Sequence, residues 1–160
     1  MDKKKQTCCF VGHRNIPHSE YNNITNKLKR LLIELINQGI IYFAIGGDLG
    51  FDAIAAKIIL ELKQIYPKIK LILVIPYKKQ TKGWREEDIK FYKDIKAVCD
   101  RCIYTSDIYS NYCIFMRNRR LLDNSSICIC YYRKKIIGTA YTVKYAKNRG
   151  LIIYNIADMI

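Results

Sequence analysis

The sequence predicts a doubly wound α/β fold: a mainly parallel sheet with helices on both faces, built as one domain over residues 1–160. Three observations carry that expectation. Apolar runs alternate with amphipathic stretches along the whole chain. The runs are short, rich in Ile, Tyr and Val, and mostly unbroken by polar residues, as parallel strands covered on both faces are. The connections between them are short, with no internal repeat, low-complexity segment or linker.

The runs at residues 7–11, 41–45, 71–75, 102–104, 127–131 and 151–154 read as strands, the first, second, third and fifth of them central. A 3.6-residue period in Ile24, Leu28, Leu31, Leu32, Leu35 and Ile36 marks the first helix. Ser19 is its expected N-cap and Gly39 its expected C′ residue. Ile54, Ala55, Ile58, Ile59, Leu62 and Ile65 repeat the pattern until Pro67 ends it. Ile89, Tyr92 and Ile95 mark a third helix, residues 115–122 a fourth, and Ala140, Val143 and Ala146 a fifth that ends near Gly150.

Composition narrows the function classes. At 160 residues the core buries about two-thirds of the unfolded surface, so no covalent staple is required. The charged start is followed by an apolar run too short for an export signal, and no stretch reaches the ~20 residues that span a bilayer. A membrane partner is therefore not expected. Seven cysteines make an odd number, and Cys8, Cys9, Cys128 and Cys130 lie in apolar runs; free thiols in a reducing, cytoplasmic setting are expected. The net charge of +14 suits anionic partners, although richness in Lys, Ile, Asn and Tyr also follows from an AT-rich genome. Weak nucleic-acid binding is the corresponding expectation.

In a doubly wound fold, ligands bind beyond the carboxyl ends of the strands. Gly46, Gly47, Asp48, Leu49, Gly50, Phe51 and Asp52 follow the second strand and precede the second helix. Glycines let the backbone approach a phosphate, and the helix N-terminus supplies N–H groups and a positive dipole end. A tight βα turn also needs glycine for itself. Asp52 either caps the helix or accepts from a ribose hydroxyl. After the first strand come Gly12, His13 and Arg14, with Arg14 as a forked phosphate donor. Gln80 and Trp84, the only tryptophan, follow the third strand; Trp84 either stacks on a base or packs over the sheet edge. Arg117, Asn118, Arg119 and Asp123 sit on the fourth helix, as phosphate ligands or as a solvated face. Gly138 and Thr139 open the fifth helix. Cys99 and Cys102 form a lone C-x-x-C without a second pair. With two histidines, no His-based zinc site is expected, and no metal or cofactor is called for.

Taken together, these loops resemble the YpsA-like branch of the SLOG superfamily, which also contains DprA and the LOG phosphoribohydrolases. The resemblance rests on Gly12-His13-Arg14, the Gly46–Asp52 loop, Gln80 with Trp84, Arg117-Asn118 with Asp123, and Gly138-Thr139-Ala140-Tyr141-Thr142. It implies a Rossmann-like sheet, a homodimer or higher homo-oligomer, and a site for nucleotides or ADP-ribose-like compounds. Two departures stand out. Ile137 replaces the first glycine of the usual Gly-Gly-Thr, and the catalytic Glu of the LOG pattern, three residues past the Thr, has no counterpart; Thr142 stands there. Met116-Arg117-Asn118-Arg119-Arg120 is similar to the LOG helix motif, which gives Arg119 an anion-binding role by resemblance. The sequence leads first to a nucleotide-derivative binder, acting as a sensor or sequestering protein. The alternatives are a hydrolase of an N-glycosidic or phosphate bond, using Asp48, Asp52 or Asp123, and a DprA-like nucleic-acid binder. No catalytic residue is assigned.

Overall fold

A computed structural model describes residues 2–133 and 137–160; Lys134 and Lys135 of the basic cluster at 133–135 lie outside them. Six strands alternate with five helices: β1 (Thr7–Gly12), α1 (Tyr21–Asn37), β2 (Tyr42–Ile45), α2 (Phe51–Ile65), β3 (Lys70–Ile75), α3 (Glu86–Val98), β4 (Arg101–Tyr104), α4 (Cys113–Asp123), β5 (Ile127–Tyr131), α5 (Ile137–Asn148) and β6 (Ile152–Asn155). The strands form one sheet in the order β4-β3-β2-β1-β5-β6, and every pairing is parallel. The four strands expected to be central are central.

Side-chain alternation divides the core in two. Phe10, Phe43, Ile45, Leu71, Leu73, Ile75 and Ile129 point to the face that α1, α2 and α3 cover. Cys9, Val11, Ala44, Val74, Cys128 and Cys130 point to the other, against Leu121 and Leu122 of α4 and Val143 and Ala146 of α5. The topology explains the division. The first three crossovers step the same way along the sheet and stay on one face, while α4 returns from the far edge to the other side of β1. The order therefore switches direction between β1 and β5, where such folds open a crevice.

Helix α1 ends in a Schellman motif: Ile40 N–H donates to the Leu35 carbonyl and Gly39 N–H to that of Ile36, both at 3.0 Å, with Gly39 at φ +103°. Its start differs from the expectation. Ser19 is not the N-cap; it lies in a 3₁₀ turn, His18–Glu20, and α1 follows without a side-chain cap. Glu20 N–H closes that turn on the Pro17 carbonyl, which carries the chain into the helix without a serine oxygen. All seven cysteines are free. No described helix is long and apolar enough to cross a membrane.

Candidate functional site

The site is assembled from the loops after β1 and β2. Gly12 is needed for contact, because a Cβ there would lie 2.5 Å from the Phe51 ring, the first residue of α2. Gly50 is needed for both contact and conformation: its φ is +75°, and a Cβ would lie 2.2 Å from the Arg14 carbonyl oxygen. The two loops thus stack backbone on backbone, and Phe51 N–H donates to the His13 carbonyl at 3.1 Å. No side chain caps α2; its first N–H goes to the His13 carbonyl, and Asp52 stands in its first turn.

The Gly46–Gly47 turn is held from below. The Gly46 carbonyl accepts from Arg117 Nη1 at 2.6 Å and from Gln80 Nε2 at 3.3 Å. Arg117 also gives its Nε–H to Asn118 Oδ1 at 2.9 Å and is only 4% exposed. Gln80 is 6% exposed, and among the described residues its Oε1 has no hydrogen-bond partner; neither has the buried Tyr92 hydroxyl. Above the turn, Arg14 pairs with Asp48 at 3.0 Å and lies 6.0 Å from the Trp84 ring, which meets Tyr92 edge-on.

Asp52 lies at the centre. Its carboxylate accepts Asp48 N–H at 3.3 Å. Burial is the largest influence on it and raises its pKa to about 7, against the pull of the Arg117 guanidinium. His13 joins this edge to the second face. Its Nε2 accepts Arg133 N–H at 2.9 Å, so Nδ1 carries the proton and faces the Thr139 hydroxyl at 3.1 Å. Burial, as the leading cause, lowers the His13 pKa and favours this neutral form.

Two cavities meet at these residues, and Arg14, Asn15, Asp48 and Asp52 line both. One, about 350 Å³, opens on the α2–α3 side among Gly47, Trp84, Phe91 and Tyr92. The other, about 330 Å³, opens at the β1–β5 switch among Gly12, His13, Asn118 and Thr139. Gly138 lies beside Thr139 in the first turn of α5. Arg119 and Asp123 stand apart from this group. Arg119 Nη2 donates to the Tyr141 hydroxyl at 2.9 Å, and Asp123 accepts from the Tyr145 hydroxyl at 2.9 Å and pairs with Arg149, all at the α4–α5 seam. Tyr92 was legible in the sequence only as an apolar position of the third helix, and Asn15 carried no signal. Cys99 and Cys102 are part-buried, and burial raises the Cys99 pKa, the reverse of what a reactive thiol needs. Among the described residues no cluster of three His, Cys, Asp or Glu could hold a metal ion.

An all-parallel sheet with a glycine turn and two cavities beyond the carboxyl ends of its strands defines a Rossmann-like protein. The family model for YpsA, described as the YspA SLOG family, matches residues 10–155, and the chain belongs to that family. It is similar to a UPF0398 protein of Brevibacillus brevis, 29% identical over 118 residues, covering 72% of this chain and 63% of that one. A UPF0398 protein of Bacillus thuringiensis is 28% identical over 138 residues, covering 84% and 75%. The match thus spans less than two-thirds of the Brevibacillus relative's length. Among solved structures, DNA processing protein A from Streptococcus pneumoniae superposes with a TM-score of 0.68 at 15% identity, over 96% of this chain and 50% of that one. The Helicobacter pylori protein, whose single-stranded DNA binding mode has been described, gives 0.66 at 17%, over 94% and 64%. These likenesses establish the fold.

Proposed function

We propose that the chain binds a nucleotide or nucleotide derivative, of the ADP-ribose or cyclic signalling class, as a sensor or sequestering protein. One observation carries the reading: the start of α2, which has no side-chain cap, and its glycine turn sit where two cavities meet. Phosphate oxygens would face the turn and Arg14. A base would lie toward Trp84, and Asp48 would take a ribose hydroxyl. The same reading has the protein working as a homodimer or higher homo-oligomer in a reducing cytoplasm. Calorimetry with ADP-ribose and cyclic nucleotides tests it. Arg14→Ala, an exposed position, should lose about 10- to 100-fold in affinity if it makes a charge-assisted bond. Unchanged affinity, or no binding by the parent, would remove the cleft from consideration. Were the ligand turned over, Asp52 is the group placed to hold a proton.

A second reading, nucleic-acid binding, is favoured by a separate observation. Tyr109, Tyr112, Phe115 and Tyr141 are exposed on α4, α5 and the loop before α4; Phe115 and Tyr141 meet edge-on, and Arg119 donates to the Tyr141 hydroxyl. Exposed rings and cations suit stacked single-stranded bases. Submicromolar, salt-resistant DNA affinity would place this reading first.

A further inference from the structure

The sheet is covered unevenly. On the α1–α3 face, Phe43, Ile45, Leu71, Leu73 and Ile75 are at most 1% exposed. On the other face, α5 lies on β1 and β6 and α4 on β1 and β3, where Ala44 and Val74 are buried, while Tyr42, Ile72 and Ile103 of β2 to β4 are only partly buried. Between α4 and the β4 edge runs a groove of about 590 Å³, floored by Tyr42, Ala44, Ile72, Val74 and Ile103. All-parallel sheets ordinarily have both faces covered by helices. The groove occupies the place of a third helix on this face.

Its rim is basic. Lys3, Lys4, Lys70, Arg101 and Arg120 line it and are exposed, against two acids, Asp2 and Asp100. Both acids are already engaged. Asp2 accepts Lys4 N–H at 3.0 Å; Asp100 accepts Leu71 N–H at 2.8 Å and pairs with Lys63 and, at 3.9 Å, Lys70. Lys3, Lys4, Arg101 and Arg120 have no ion pair among the described residues.

We infer that this groove docks an amphipathic, acidic helix of a partner protein, its apolar stripe on the sheet and its carboxylates on the rim. Shape and floor argue for a helix, and charge argues for an acidic one. A second copy of this chain, at +14, would set one basic rim against another. Single-stranded nucleic acid finds an aliphatic floor here rather than stacking rings, apart from Tyr42, which Lys3 already covers at 5.8 Å.

The probe is a labelled synthetic helix of about four turns, with a leucine stripe flanked by glutamates, and a counterpart with lysines in their place. Fluorescence anisotropy should show the acidic peptide binding and the lysine peptide not. Arg101→Glu with Arg120→Glu, both at exposed positions, should weaken the acidic peptide at least about tenfold while the thermal melt stays that of the parent. Ile72→Asp should do the same from the floor. Each of these results would overturn the inference: no binding of the acidic peptide, equal binding of both peptides, binding indifferent to these substitutions, or displacement of the peptide by oligothymidylate. Sedimentation showing a dimer that the same substitutions dissolve would assign the groove to a second copy and overturn it equally.

Discussion

Asp52 and His13 respond to pH in opposite directions. Asp52 titrates near 3.8 unfolded and about 7 folded, so the folded chain holds a proton that the unfolded chain has released. Its stabilising contribution is complete below pH 3.8 and is lost as pH rises to about 7. Asp52→Asn should therefore flatten that slope and, near pH 8, exceed the parent in stability by on the order of 2 kcal/mol, read by urea unfolding. His13 has a lowered folded pKa, so its contribution is present above 6.5 and falls away on acidification. The melting temperature of His13→Asn should decline less steeply below that pH than the parent's. Arg117→Ala should cost about 2–3 kcal/mol of stability, because the Gly46 carbonyl loses its charged donor and Asp52 its compensating cation. A loss of ligand affinity in that variant would reach the cleft through the displaced turn.

At the scale of elements, the two loops that stack at the site are held by glycines with different reasons for being there. Gly50→Ala meets the Arg14 carbonyl as well as an unfavourable φ and should destabilise by about 3 kcal/mol or more. Gly150→Ala has a similar φ of +79° but open space around it, and should cost about 1 kcal/mol. Comparing the two unfolding midpoints separates contact from conformation. The strands were legible in the sequence because double-sided burial writes continuous apolar runs, and the helices because their buried stripes keep a 3.6 period. Ser19 was misread, since a 3₁₀ turn and a helix start look alike in sequence. The glycine loop was legible as a turn, but not that Arg117 holds it from beneath. Along a helix, two residues turn by about 200°, so Arg117 and Arg119 face nearly opposite ways. A run of arginines does not reveal which one turns inward; that depends on how α4 lies on β1 and β3.

Over the whole molecule, the +14 charge should give weak, sequence-independent DNA association that fades by roughly physiological salt, checked by anisotropy across a salt series. The half-covered sheet left no mark in the sequence, since Ile72 and Ile103 read as core positions whether or not a helix covers them. Strand order also sets the sequence of events as the chain is synthesised. β1 to β4 and α1 to α3 emerge as one contiguous four-stranded part of the sheet, whereas the other edge of β1 pairs with Ile127–Tyr131. Until those residues leave the ribosome, Cys8 to Gly12 present an open backbone edge flanked by apolar side chains. Nascent chains arrested between β4 and β5 should therefore aggregate or recruit chaperones, and chains arrested after β5 should not.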